Sequence, residues 1–129
     1  MSEELRRHVD TNGTVRYHNK DGKLHRLDGP ALERRNGSKE WWQNGERHRL
    51  DGPAIEYSNG SKEWYQNGKY HRLDGPAYEG SDGFREWYID GKYYKTEKEW
   101  EKARCPSIEL TVAEIAKRLG INNLKIVKG

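Results

Sequence analysis

Cysteine, proline and long apolar runs are scarce in this sequence of 129 residues. The single Cys105 excludes an intramolecular disulfide framework. No apolar stretch approaches the length that crosses a bilayer, and the first ten residues, MSEELRRHVD, lack the apolar segment of a secretory signal. We therefore expect a cytoplasmic protein without membrane contact.

Hydrophobic residues are also few, at 32%, while 35% of the residues are charged. These values approach those of disordered chains. Five tryptophans, eight tyrosines and one phenylalanine oppose that interpretation, because large rings can build a thin core. The length suits one module and leaves no room for a two-domain enzyme.

A strong charge of either sign is absent, since the net charge is +3. This excludes an acidic mimic of DNA. Residues 1–95 carry 17 basic and 16 acidic residues, so most of the chain is almost neutral and nucleic acid is an unlikely partner.

What the sequence does contain is a repeat. The string HRLDGPA occurs at residues 25–31, 48–54 and 71–77, with a period of 23 residues. A second string keeps the same phase, as NGSKEWWQNG at 36–45, NGSKEWYQNG at 59–68 and the divergent DGFREWYIDG at 82–91. The first copy, at 12–22, lacks tryptophan, as is common for a terminal repeat.

Besides the Asp-Gly of HRLDGPA, each period holds two Asn-Gly or Asp-Gly pairs, which favour tight turns between short strands. Six-residue strands are predicted at 38–43, 61–66 and 84–89, each preceded by a strand that follows a DGP corner. The fold class is therefore mainly β: an elongated antiparallel β-meander of about four 23-residue hairpin repeats.

Side chains alternate along a strand, so the two aromatic positions of each repeat should face opposite sides. One predicted column is Trp41, Trp64 and Trp87, and the other is Trp42, Tyr65 and Tyr88. The apolar share of the core is expected from Leu27, Leu50, Leu73, Leu32, Ile55 and Tyr78.

The C-terminal part carries helix signals. Thr96 and Glu99 form a capping box that predicts a short helix through Ala103, and Thr111 with Glu114 predicts a second helix at 112–119 between two short strands. The second helix could open a helix-turn-helix, but the residues after it offer no recognition helix. The predicted division is a lead at 1–11, a repeat array at 12–95, and a tail at 96–129 that ends in a small β-α-β unit.

The segment NGKYH at 67–71, with the turn glycines that follow, resembles the MORN repeat. The resemblance covers about residues 12–95, although Trp-Tyr replaces the usual tyrosine-x-glycine and arginine follows the histidine. With EWYQNGK and HRLDGPA, the array is similar to variant MORN repeats of viral and bacteriophage proteins. The resemblance implies a β-hairpin array and a phage origin.

A His-Arg pair recurs in every HRLDGPA string and provides the candidate binding residues. In one interpretation the pair is framework, with histidine donating to a turn carbonyl and arginine pairing with the following aspartate. In the other, the arginines bind a phosphorylated or nucleotide ligand together with the second aromatic column, if the two share a face. The candidates are His25, Arg26, Trp42, His48, Arg49, Tyr65, His71, Arg72 and Tyr88.

No catalytic or metal site is predicted. Equivalent histidines in repeats about 10 Å apart cannot share an ion that binds imidazole at about 2.1 Å. The acidic residues recur with the turns, Cys105 has no nucleophile motif, and no nucleotide-binding motif is present. We expect a protein that is not an enzyme and needs no cofactor.

The phage-like resemblance implies a counter-defence inhibitor that binds and blocks a host defence protein in the cytoplasm of the infected bacterium. An alternative is a sponge that sequesters a nucleotide second messenger through the arginine and aromatic columns. A further alternative is an interaction module of the virion or a scaffold. A homodimer formed through an uncovered strand edge or aromatic face is also compatible with the sequence.

Overall fold

A computed structural model describes residues 5–104 of the chain, and these form a mainly β fold with a helix at the end, as predicted. The strands and the helix are short, and their bounds are as follows. They are β1 Arg6–Val9, β2 Val15–His18, β3 Leu32–Glu33, β4 Lys39–Glu40, β5 Trp42–Gln43, β6 Glu46–Arg47, β7 Ile55–Glu56, β8 Lys62–Glu63, β9 Tyr65–Gln66, β10 Lys69–Tyr70, β11 Tyr78–Glu79, β12 Arg85–Ile89, β13 Lys92–Tyr94 and α1 Glu97–Arg104.

Nine strands form one antiparallel sheet in the order β1-β2-β3-β4-β7-β8-β11-β12-β13. Strands follow one another in chain order, which is the predicted meander, and β5-β6 and β9-β10 form separate two-stranded sheets. The first strand, β1, lies within the segment assigned as a lead and pairs with β2, so that Arg6 stands opposite His18.

The predicted six-residue strands are wrong in the second and third repeats, where each is divided at its first tryptophan. Trp41 N–H donates to the Ala54 carbonyl at 2.7 Å, and the Trp41 carbonyl accepts from His48 N–H at 3.1 Å. The backbone thus changes partner at this residue, from the next repeat to its own hairpin. In the last repeat β12 is continuous, because it pairs with β11 and then with β13.

The turns form at the Asn-Gly and Asp-Gly pairs as predicted, with two different backbone conformations. Between β5 and β6, Asn44 has φ 48° and Gly45 has φ 82°, the pair of positive angles that a two-residue hairpin needs. In the loop between β3 and β4, Gly37 alone has a positive φ, and the Asn36 side chain accepts a hydrogen bond from Ser38 N–H at 2.9 Å.

The core is thin and lies where consecutive repeats meet. The alanines that end the HRLDGPA strings, Ala31, Ala54 and Ala77, are fully buried, and Leu32 and Ile55 are buried beside them. The prediction that the leucines of these strings join the core is wrong: Leu27 is 65% exposed, Leu50 74% and Leu73 48%. These leucines lie outside the strands, in bends that precede the buried alanines.

The N-cap hydrogen bond of the predicted capping box is present at α1. Glu99 N–H donates to Thr96 Oγ1 at 3.1 Å, and the helix extends one residue beyond the predicted end, to Arg104. The second predicted helix and its flanking strands lie outside the described residues. In residues 5–104 no helix is long and apolar enough to cross a membrane.

Candidate binding surface formed by the repeated corners

The three segments His25–Pro30, His48–Pro53 and His71–Pro76, which we call the corners, share one set of contacts. In each, the arginine Nε donates to the aspartate two residues later, and one guanidinium N–H donates to the proline carbonyl. The Nε to Oδ1 distances are 3.0 Å for Arg26 to Asp28, 3.0 Å for Arg49 to Asp51 and 2.7 Å for Arg72 to Asp74. The ion pairs of the framework interpretation are therefore present.

Each corner arginine also lies over the ring of a tyrosine or tryptophan. The distances from Cζ to the ring centre are 4.1 Å for Arg26 over Tyr17, 3.8 Å for Arg49 over Trp41 and 3.8 Å for Arg72 over Trp64. The corner glycine packs against the guanidinium as well. A Cβ on Gly75 would lie 2.6 Å from Arg72 Cζ, so a larger residue at this position would displace the guanidinium.

The corner histidines make a hydrogen bond that the framework interpretation did not include. Each accepts at Nδ1 from the backbone N–H that opens the tight turn of the following repeat. The donors are Asn44 to His25 at 2.9 Å, Asn67 to His48 at 3.0 Å and Asp90 to His71 at 3.0 Å. The turn residue has a positive φ, which directs its N–H toward the previous corner. The histidines thus join successive repeats.

The second aromatic column accepts backbone hydrogen bonds from the corner arginines, but its rings contact other side chains. Tyr65 stacks on Tyr70 with ring centres 4.4 Å apart, and Tyr70 stacks on Tyr88 at 4.7 Å. Arg47 continues this stack, with its Cζ 5.0 Å from the Trp42 ring and 5.4 Å from the Tyr65 ring. The corner arginines thus lie over rings outside the column that the ligand interpretation invoked.

Two buried carboxylates, Glu40 and Glu63, lie beside these aromatic rings, and the sequence analysis did not single them out. Glu63 accepts from the hydroxyls of Tyr57, Tyr65 and Tyr70 at 2.7, 2.7 and 3.0 Å. Burial raises the pKa of Tyr57 and Tyr65, and in Tyr57 the hydrogen bond to Glu63 raises it further. Burial also raises the pKa of Tyr70, to about 12. These hydroxyls stay protonated and hold the carboxylate in place.

A phosphate would have to compete for the corner arginines. Arg49 and Arg72 each contact a second carboxylate, at 3.0 Å in Glu56 and 3.2 Å in Glu79, in addition to the corner aspartate. A nucleotide would therefore displace two carboxylates per corner before it gained a bidentate contact. In residues 5–104 no group of three or more His, Cys, Asp or Glu side chains is placed to hold a metal ion.

The same corners expose a row of apolar side chains, Leu27, Leu50 and Leu73, which we call the leucine row. Two grooves of about 450 and 500 Å³ lie between successive corners. The first is lined by Leu27, Trp41 and Leu50, and the second by Leu50, Trp64 and Leu73. The sequence signal for this row was the leucine that stands between arginine and aspartate in every HRLDGPA string. The sequence analysis assigned these leucines to the core instead of to the surface.

Comparison with protein-family models, with curated proteins and with solved structures gives no match. The interpretation of the corners therefore depends on their contacts. They combine Arg-Asp ion pairs and His-turn hydrogen bonds with exposed leucines and aspartates.

Proposed function

We propose that this chain is a non-enzymatic protein-binding module that contacts its partner through the corners. In its specific form the proposal follows the resemblance to phage repeat arrays: the chain is a counter-defence inhibitor, and its partner is a protein of bacterial immunity that it blocks by occupying a surface.

The observation that carries the proposal is the leucine row. Three large apolar side chains at the same position of three repeats are 65%, 74% and 48% exposed. Isolated exposed leucines are common on protein surfaces, whereas a regular row with grooves between its members is typical of an interaction site. Exposing them to water brings no benefit to the folded chain itself.

The rigidity of the corners supports the same function. Each corner is held by an Arg-Asp ion pair, an Arg-carbonyl hydrogen bond and a His-turn hydrogen bond to the next repeat, as in Arg49 with Asp51 and Pro53, and His48 with Asn67. A preorganised surface loses little conformational entropy on binding, which favours affinity.

The test compares the wild-type chain with the double variant Leu27→Ser and Leu50→Ser. Immobilised protein is exposed to bacterial lysate, captured proteins are quantified, and the identified partner is then titrated in pure form. We expect capture of a specific immune protein and a loss of affinity of at least about 100-fold in the double variant, since each leucine buried on binding contributes about 1.5 kcal/mol or more.

Phe84→Ser is the matched control, because Phe84 is 57% exposed at a hairpin tip outside the corners. In bacteria that carry the defence system, wild-type chain and the Phe84 variant should both raise phage plating, and the leucine variant should not. Equal partner affinity of the wild-type chain and the leucine variant would contradict the proposal.

A further inference from the structure

The chain itself already covers one corner. Helix α1 packs against β12 and β13, and its Trp100 is buried, with 3% exposure. The Trp100 indole N–H donates to the Arg72 carbonyl at 3.0 Å, and Arg104 donates to the Leu73 carbonyl at 3.1 Å. A tryptophan and an arginine four residues apart lie on one side of a helix, so α1 binds two successive carbonyls of the last corner with one face.

The position of α1 corresponds to that of a groove. Adding the 23-residue period to His71–Asp74 gives residues 94–97, so the chain begins α1 where a fourth corner would stand. The same shift applied to Trp64, which lines the groove after the second corner, gives Trp87 on β12. Since α1 packs against β12, it lies beside the last corner, in the place where a fourth corner would complete a third groove.

The two preceding corners present the same acceptors without a donor. Among the hydrogen bonds within residues 5–104, none is donated to the carbonyls of Arg26, Leu27, Arg49 or Leu50. The covered leucine is also the least exposed of the row, with Leu73 at 48% against 74% for Leu50. The first two corners thus offer the same acceptors as the third, with another corner in the place that α1 takes beside the third.

The charge around the grooves defines the occupant further. The side chains of Asp28, Asp51 and Asp74 are 83%, 87% and 86% exposed, and each corner arginine is already paired with its aspartate. The free carbonyls add further acceptors at the groove rim. A cationic donor on the occupant is therefore favoured, as Arg104 is at the third corner.

We infer that the grooves at the first two corners bind an amphipathic helix of a partner protein that carries a tryptophan and, four residues later, an arginine or lysine, in the manner of α1. The inference rests on the proposed function and names the chemistry of its partner. The tryptophan fills the groove beside Leu50 and donates to the Arg49 carbonyl or its equivalent, and the cation binds the next carbonyl near the aspartate.

The probe is a synthetic peptide with the sequence of residues 95–104, KTEKEWEKAR, held helical by a side-chain staple because so short a helix is marginal in water. Its binding to the full chain is measured by fluorescence anisotropy and located by backbone NMR shifts. We expect saturable binding with shifts at the first two corners, and a loss of at least about tenfold when alanine replaces the peptide's tryptophan.

Protein variants separate this site from others. Leu50→Asp should weaken peptide binding at least about tenfold, since Leu50 borders both grooves, whereas Phe84→Ser should leave it unchanged. Both residues are exposed, so each variant is expected to fold, which circular dichroism verifies.

Absent binding, binding insensitive to Leu50→Asp, or shifts confined to the α1 site would overturn the inference. Self-association of the chain through these grooves, seen by sedimentation and abolished by Leu50→Asp, would replace the partner with a second copy and overturn it too.

The two proposals can fail separately. If a partner is captured through the leucine row but the peptide does not bind, the helix chemistry is wrong and the protein-binding function remains. If neither the partner nor the peptide responds to the leucine variants, the proposed function fails as well.

Discussion

Glu40 and Glu63 occupy the same position of consecutive repeats, 23 residues apart, and both are buried, yet their partners differ in chemistry. Around Glu40 the partners are Arg34 at 3.2 Å, Trp42 at 3.0 Å and Arg47 at 3.5 Å. Around Glu63 they are the hydroxyls of Tyr57, Tyr65 and Tyr70. One carboxylate is neutralised by cations, and the other is held by neutral donors alone.

The difference shows what the repeat requires at this position. A buried carboxylate needs its lone pairs satisfied, and either guanidinium or phenol groups can do so from the same three backbone positions. The cations beside Glu40 reach water, with side chains 48% and 39% exposed for Arg34 and Arg47, whereas Tyr65 is 7% exposed. The third repeat therefore depends more strongly on its carboxylate than the second.

The largest expected effect comes from removing that carboxylate. Glu63→Ala leaves three hydroxyls without their acceptor, one of them on a buried ring, and should lower the free energy of unfolding by about 3 kcal/mol. Glu40→Ala leaves two guanidinium groups that can turn to water, and should cost about 1 kcal/mol. Urea unfolding measures both values.

Glu101→Ala, on the exposed side of α1, is the control and should leave stability within about 0.5 kcal/mol of wild type. Equal losses for Glu40→Ala and Glu63→Ala would show that the exposure of the partners does not determine the cost.

Alkaline pH should destabilise the third repeat more than the second, because the partners of Glu63 are tyrosines, which titrate at alkaline pH. Desolvation, with the charge of Glu63, raises the pKa of Tyr70 from 10 to about 12. Between these values the unfolded chain releases the proton and the folded chain keeps it, so stability is retained below pH 10 and falls as the pH rises toward 12. Arginine stays protonated throughout.

We expect Tyr70→Phe to reduce this alkaline loss by about 1 kcal/mol, a value lowered for the partial exposure of the ring. Urea unfolding at a series of pH values gives the loss, and tyrosinate absorbance gives the titration. Tyr93→Phe, at an exposed ring, should keep the wild-type slope. A slope in Tyr70→Phe identical to that of wild type would assign the alkaline loss to other groups.

The repeat made most of the fold predictable from the sequence. Turn pairs spaced at a fixed period gave the antiparallel meander, the hairpins and the alternation that separates Trp41 from Trp42. The breaks at Trp41 and Trp64 were not predictable from strand propensity, because they arise where the backbone exchanges one partner strand for another.

The candidate site was predicted only in part. The Arg-Asp pairs of the corners follow from residues two apart in a tight bend, so local sequence was sufficient. The His-turn bonds span 19 residues, and their direction depends on the positive φ of the next turn. The exposed leucines were assigned to the core because hydrophobicity alone does not show on which side of a corner a residue lies.

The smallest expected effect would convert the second repeat toward the third. Arg47 Nε is buried without a hydrogen bond, 3.5 Å from Glu40 Oε1, and such an unsatisfied donor is costly. In Arg47→Tyr the ring takes the place that Tyr70 has in the third repeat and donates its hydroxyl to Glu40, while Arg34 still balances the charge. We expect unfolding in urea to show a gain of about 0.5 kcal/mol, and Arg47→Leu, which fills the space without a donor, to show none. A loss of stability in Arg47→Tyr would mean that the second repeat needs the guanidinium charge, and that the two carboxylates are not interchangeable solutions of one backbone.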